Sequence, residues 1–345
     1  MLEDLSNDAL EAATQAQEIA HKILYTFSES FVLNGHRHDC TSSIGATLFH
    51  GSDVDADELL KQADIAIYQS KNEGRNTLRF FDLKVQEAIA NRADMEHELR
   101  KAIEHNQFQL HYQMQVGSSG QALGAEALIR WIHPERGMIS PFNFIPLAEE
   151  TGLILPIGQW VLDAACAQLK TWQQNPVTKD LVLAVNVSTK QFNQVDFVEQ
   201  VKATMQRHEI NTARLKLELT ESMLVDNIND IISKMTALSK IGVRFSLDDF
   251  GTGYSSLQYL KKLPINQLKI DQSFVSDLVT DASDRAIVRT IITMAHSLDI
   301  NVIAEGVETE EQRQYLFDNG CTHYQGYLFS KPVPIDEFEA LLRKS

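Results

Sequence analysis

Little in this sequence points to disulfides, membranes or nucleic acid. Its three cysteines, Cys40, Cys166 and Cys321, are widely separated. They form neither a CxxC pair nor a disulfide framework, so a reducing, cytoplasmic setting with buried thiols is expected. No apolar run approaches the ~18 residues of a membrane span, and no signal-peptide pattern opens the chain. Positive charge is scarce: 31 Lys and Arg against 47 Asp and Glu leave a formal net charge of −16. That balance argues against an extended groove for a nucleic-acid polymer. Eleven histidines include no HExxH, and they are assigned to surface and packing roles. A chain this acidic that handles a phosphorylated substrate must make its site locally positive, and divalent cations do so with few residues.

What is present divides into two patterns. Hydrophobic residues make up 43% of 345, enough for one large domain and a smaller one. Residues 5–28 have helical periodicity, 41–49 read as a strand, 56–72 as a helix and 78–81 as a short strand. A charged, unpunctuated helix over 82–105 follows as a connector. The expected division is therefore 1–82, 83–105 and 106–345. From Phe108 strands alternate with amphipathic helices, and strands are placed near 108–115, 121–131, 181–187, 214–219, 243–248, 267–271, 301–305 and 321–326. This predicts a largely parallel α/β barrel of the (β/α)8 TIM type, with catalysis at the C-terminal strand ends. The short turn Gly117-Ser118-Ser119-Gly120 predicts one antiparallel strand pair.

Several of these strands end on polar groups. Because side chains alternate along a strand, the leucines of Leu215-Lys216-Leu217-Glu218-Leu219 share an outer face and Glu218 points inward. The same alternation turns Asp248 inward, puts Lys269 and Asp271 on one inner face, and sets Glu126 with Arg130. Asn186 and Glu305 close two further strands, and Gln325 follows Tyr324. One carboxylate alone reads as a helix cap or a solvated loop end. A set of unpaired charges inside a barrel is costly unless metals or counter-charges compensate it, which points to a shared site. Oxygen ligands without Cys or His favour Mg²⁺ or Mn²⁺, and Asp248-Asp249 suits a bridge between two metals for displacement at phosphorus. Two carboxylates on a barrel also admit a glycosidase, but the acidic and amide groups outnumber what that mechanism needs and aromatic platforms are few.

Ordered motifs within about 108–335 make the chain similar to a known family. They are Glu126-Ala127-Leu128-Ile129-Arg130-Trp131, Phe144-Ile145-Pro146-Leu147-Ala148-Glu149, Asn186-Val187-Ser188 and Glu218-Leu219-Thr220-Glu221-Ser222. Further along come Asp248 to Ser256, Lys269-Ile270-Asp271, Ala304-Glu305-Gly306-Val307-Glu308 and Gln325-Gly326-Tyr327. The segment resembles the EAL-domain phosphodiesterases, which linearise cyclic di-GMP to pGpG with two Mg²⁺ or Mn²⁺ ions. The resemblance implies that Glu126, Asn186, Glu218 and Asp248 hold one metal and that Asp248 and Asp249 hold the second. It further implies Lys269 to orient or activate the attacking water, Glu305 as general base, and Glu305 and Gln325 acting on the second metal through metal-bound water. Arg130, Gln113, Leu128 and Gln325 would contact substrate. Glu221 would hold the 249–256 loop, which with the following helix would form a homodimer contact. The family's usual proline after Tyr-Gln is replaced in Tyr112-Gln113-Met114, which bears on substrate positioning and removes no ligand.

The first 82 residues resemble the C-terminal half of a GGDEF (diguanylate cyclase) domain, through Thr41 to Gly45, Ala63 to Tyr68 and Lys71 to Asn76. The signature loop of that domain is not within these residues, so synthesis of cyclic di-GMP is not expected from them. A fragment of a longer GGDEF–EAL protein is expected, whose missing region could carry a membrane anchor. The segment itself is expected to pack or to dock a partner. The leading expectation is a metal-dependent phosphodiesterase, and the alternative is a receptor that holds cyclic di-GMP without cutting it.

Overall fold

Asp8 starts the first helix, Ala9–Ser28, by accepting from the amides of Leu10 at 3.0 Å and Glu11 at 2.9 Å. The computed structural model describes residues 1–33, 36–38, 40–51, 55–72, 76–225, 228–251 and 260–343. The chain divides into two compact units, Met1–Glu98 and Leu99–Ser345, and the division falls within the helix Leu83–Glu104.

In the first unit β1 (Phe31–Leu33) pairs antiparallel with β2 (His36–His38). Strands β3 (Ile44–Ala46) and β4 (Leu78–Phe80) pair in parallel, and the helix Ala56–Asn72 makes the crossover between them. A core of Ala13, Ala16, Ala20, Leu78, Phe80 and Ile89 lies under the first helix. The strand expected over 41–49 pairs only at 44–46, opposite Leu78–Phe80.

The second unit is a closed α/β barrel. Its strands are β5 (Phe108–Gly117), β6 (Ala122–His133), β8 (Val182–Asn186), β9 (Leu215–Thr220), β10 (Arg244–Phe250), β11 (Gln267–Ile270), β12 (Asn301–Ala304) and β13 (His323–Gln325). The short β7 (Gly137–Ile139) extends β6 outside the closed ring. Both faces of the parallel strands are buried, as a barrel wrapped in helices requires. Leu215, Leu217 and Leu219 pack outward while Lys216 and Glu218 face inward, all at 5% exposure or less.

One expectation is corrected. The barrel has two antiparallel pairings in its ring: β5 runs antiparallel to β6 and also to β13. A reversed strand in a closed ring has two neighbours, so a hairpin on one side forces a second antiparallel seam on the other. β7 and the helices Pro141–Thr151, Thr189–Phe192, Gln272–Ser276 and Ile335–Leu342 also lie beyond the expected elements. No helix among the described residues is long and apolar enough to cross a membrane.

Candidate active site

The inner face of β11 carries one side chain that dominates the upper barrel. Leu268 and Ile270 point outward and are fully buried, so Lys269 must point inward, where it is 1% exposed. Its Nζ lies 2.6 Å from Glu218 Oε2, 2.6 Å from Glu305 Oε1, 3.0 Å from Asp248 Oδ1 and 3.4 Å from Glu126 Oε2. Four carboxylates from β9, β10, β6 and the end of β12 thus converge on one ammonium. Glu305 is fixed just past β12 by its amide, which donates to the Ile270 carbonyl at 3.1 Å.

Consecutive residues of a strand should face opposite ways, yet Asp248 and Asp249 both reach this region. A bulge in β10 resolves the conflict. Leu247 pairs with Leu268 and Phe250 with Ile270, so Asp248 and Asp249 together oppose Lys269. Asp249 takes φ +54°, a left-handed conformation that Asp tolerates better than most side chains. Its amide donates to Asp248 Oδ1 at 3.1 Å. Carboxylate oxygens of Asp248, Asp249 and Glu305 come within 4.8 Å of one another. Asp271, expected on the inner face beside Lys269, caps Gln272–Ser276, accepting from the Ser273 amide at 2.9 Å, and its carboxyl also meets Asp249 of the site. The strand ends at Ile270, so alternation no longer governs it.

Amides hold Glu126 from the other side. Asn186 Nδ2 donates to its Oε1 at 2.6 Å, and Gln325 Nε2 donates to its Oε2 at 2.6 Å. Gln325 also donates to Gln113 Oε1 at 3.0 Å, and Gln113 Nε2 donates to the Ser330 carbonyl at 3.2 Å. The turn after Gln325 needs glycine, since a Cβ on Gly326 would sit 2.1 Å from the Val307 carbonyl oxygen. The unusual Met114 also has a visible consequence. Its amide donates to Ser330 Oγ at 3.1 Å, a bond that proline in its place could not make.

Leu128 and Arg130 continue the inward row of β6 and are half-buried. They are not among the groups that converge on Lys269. Arg130 Nη1 donates to the Ile129 carbonyl at 2.9 Å and makes no ion pair among the described residues. Glu221 follows β9 and accepts from the Gly251 amide at 3.0 Å, where the chain turns at φ +105°. It therefore touches the start of the 249–256 loop; residues 252–259 lie outside the described residues.

This crowding sets the electrostatics. Burial pushes Glu218 up to about 7, Lys269 and Lys216 opposing and Glu126 and Asp248 adding to it. Burial and the neighbouring Asp248 and Asp271 raise Asp249 to about 6. Glu305 rises well above the ordinary carboxylate range because burial, Asp248 and Glu126 outweigh Lys269. Burial acts to raise Glu126 too, but Lys269 and the amides of Gln325 and Asn186 hold it below its usual value. Burial works against the Lys269 charge, yet the surrounding carboxylates lift its pKa well above normal. Inside the barrel beneath this ring lie Lys216, Gln115 and Gln267, none of them among the expected site residues. The alternation that turned Glu218 inward also turns Lys216 inward.

The donor set fits divalent cations. Glu126, Glu218, Asp248, Asp249 and Glu305 outnumber the two buried lysines nearby. Glu218 Oε1, although buried, accepts no hydrogen bond among the described residues and has only Lys216 Nζ at 3.7 Å for a counter-charge. A buried carboxylate oxygen with no hydrogen bond, beside excess negative charge, is chemistry that a hard cation satisfies.

Residues 96–332 match the family model described as the EAL domain. The chain belongs to the EAL domain family. Residues 5–77 match the diguanylate cyclase, GGDEF domain model. This EAL protein is 40% identical over 336 residues to the bifunctional diguanylate cyclase/cyclic di-GMP phosphodiesterase MucR of Pseudomonas aeruginosa, covering 97% of this chain and 48% of MucR. It is 37% identical over 344 residues to the cyclic di-GMP phosphodiesterase NbdA of the same organism, covering 99% of this chain and 43% of NbdA. The chain thus spans less than half the length of these curated relatives. Among solved structures it is similar to the PaMucR phosphodiesterase in its c-di-GMP complex, with a TM-score of 0.69 and 43% identity, covering 71% of this chain and 99% of that one.

Proposed function

We propose that this EAL domain hydrolyses cyclic di-GMP to linear pGpG with the help of two divalent cations, Mg²⁺ or Mn²⁺. The observation that carries the proposal is the ring of carboxylates on Lys269, at the strand ends of a barrel whose relatives include cyclic di-GMP phosphodiesterases. Glu126, Asn186, Glu218, Asp248 and Asp249 would hold the cations. Bound there, such ions supply the positive charge that a phosphodiester needs and make water more acidic.

The remaining work falls to the chain's own groups. Glu305 accepts a proton from the attacking water, a task suited to a carboxylate that burial makes more basic than usual. Lys269, 2.6 Å from Glu305, orients that water and offsets charge on the phosphate. Arg130, a half-buried cation without an acidic partner among the described residues, receives a phosphate or guanine edge. Gln113, Leu128 and Gln325 complete the substrate wall. Glu221 holds the loop that begins at Gly251 in its working shape.

The same proposal assigns 1–82 to a GGDEF-like packing or docking segment, 83–105 to a connector and 106–345 to the phosphodiesterase. It places the chain in the cytoplasm as a homodimer through the 249–256 loop and the following helix. The test is to incubate the purified chain with cyclic di-GMP plus Mg²⁺, Mn²⁺ or chelator and to follow pGpG by chromatography. Chelator-sensitive product is expected. Binding of cyclic di-GMP without product would move the assignment to a receptor.

A further inference from the structure

Beneath the carboxylate ring lies a second buried cation with different company. Lys216, two residues before Glu218 on β9, is 5% exposed. Its Nζ donates to Gln115 Oε1 at 2.9 Å and to Gln267 Oε1 at 2.6 Å, and stands 3.7 Å from Glu218 Oε1. An ammonium has donors only, so it decides which end of each amide faces it. Gln115 must turn its oxygen to Lys216, which leaves its nitrogen to donate to Gln325 Oε1 at 2.9 Å. Gln325, having accepted there, must present its nitrogen upward, where it donates to Glu126 Oε2 and Gln113 Oε1. Every amide in the run Lys216 to Gln115 to Gln325 to Glu126 is thus oriented, with a donor-only ammonium at one end and an acceptor-only carboxylate at the other.

We infer that Lys216 is a positioning residue that acts through Gln115 to hold the Gln325 amide with its nitrogen on Glu126. Without the ammonium, the Gln115 oxygen loses its buried donor and the run keeps only Glu126, at its far end, to orient its amides. A reversed Gln325 would bring its oxygen against the Glu126 carboxylate at hydrogen-bond distance, acceptor on acceptor, and drive Glu126 from its place in the ring. The effect on cation affinity rests on the metal-dependent phosphodiesterase proposal. The amide orientation does not.

The experiment reads the two levels separately. In ¹⁵N-labelled chain, the Gln325 side-chain amide is assigned by its loss in Gln325→Ala and its exchange with water is followed. Lys216→Met is expected to shift that signal and speed its exchange, and to weaken Mn²⁺ binding by on the order of ten- to a hundredfold, as loss of a ligand's supporting partner does. Gln115→Leu should do the same, and the double variant should be no worse than Gln115→Leu alone. Lys216→Arg, which keeps donors only, should restore part of the signal. If Lys216→Met fails to fold, Gln115→Leu severs the run and supplies the readout. An unchanged Gln325 signal overturns the inference. So do additive losses in the double variant, which would mean that Lys216 acts by its charge on Glu218. A shifted Gln325 signal in a chain whose parent neither binds Mn²⁺ nor cuts cyclic di-GMP would keep the relay and sink the phosphodiesterase proposal instead.

Discussion

Two buried lysines occupy one barrel, and their neighbours make them opposites. Lys269 sits among four carboxylates, and these lift its pKa well above normal. Lys216 sits on two glutamine oxygens, and burial outweighs Glu218 and Glu126 so that its pKa falls. The difference lies in what surrounds each ammonium rather than in depth, since both are 5% exposed or less. Carboxylates bring excess charge that a cation can exchange into. Amides bring direction without charge, and so can only orient. The proposed roles follow the same line, chemistry for the upper layer and support for the lower one.

The sharpest way to break this contrast is to remove a charge from the upper layer. Lys269→Met should lower turnover by about 10²–10⁴-fold, the range for losing a group that handles protons. It should also destabilise the metal-free fold by about 3–5 kcal/mol, because buried carboxylates lose their counter-charge. Turnover by pGpG release and chemical denaturation would check both, and a variant as active and stable as its parent would overturn the upper layer's role. Asp248→Ala or Glu126→Ala should bring turnover to background by removing a proposed ligand. Near-parental activity in either variant would remove the metal assignment.

The upper layer was largely legible because strand alternation and polar strand ends are local signals. All eight ring strands follow from periodicity, and Glu218, Asp248 and Lys269 turn inward by counting in twos. Counting failed where geometry departs from it. The bulge that brings Asp249 beside Asp248 depends on a register shift against β11, which only the pairing reveals. Asp271 lies one residue past the strand's end, where it caps a helix while still meeting Asp249. The second antiparallel seam required ring closure between β5 and β13, more than 200 residues apart. Lys216 obeyed the same parity as Glu218, but a lysine early in a strand normally snorkels to solvent. Only its three-dimensional partners show that it stays inside.

A milder break acts at the edge of the upper layer. Glu221→Ala leaves the Gly251 amide without its carboxylate acceptor. A hydrogen bond to a charged group contributes about 1.5–3 kcal/mol, so the segment from Gly251 should hold its shape less firmly. Turnover should fall by about ten- to a hundredfold through misplacement of the neighbouring Asp248 and Asp249. The proposed dimer should weaken too, as read by analytical ultracentrifugation. Parental values for both activity and association would show that Glu221 has no such role.

The smallest expected effect concerns acidity, and it separates the layers without mutation. Glu218 is raised to about 7 and Glu305 well above the ordinary range, so the metal-free native chain keeps protons that the unfolded chain has already released. Where the native state binds more protons, stability falls as pH rises, here through about 7 and beyond. Asp249, raised to about 6, adds the same slope somewhat lower. Glu126 has the opposite sign, but its contribution is present above the ordinary carboxylate range and lost only in acid. Burial lowers His111 and His323, which makes stability rise with pH through about 6.5 and for about a unit beyond, so the informative window starts above that. The lowered Lys216 opposes the decline only where it sheds its proton. Between about pH 7.5 and 8.5 the melting temperature in chelator should decline by a few degrees, on the usual scaling of stability with Tm. Divalent cations compete with protons for these oxygens, so saturating Mg²⁺ should raise Tm more at the alkaline end. A Tm in chelator that rises across the window, or a Mg²⁺ increment independent of pH, would mean that the carboxylates do not share their charge as the geometry requires.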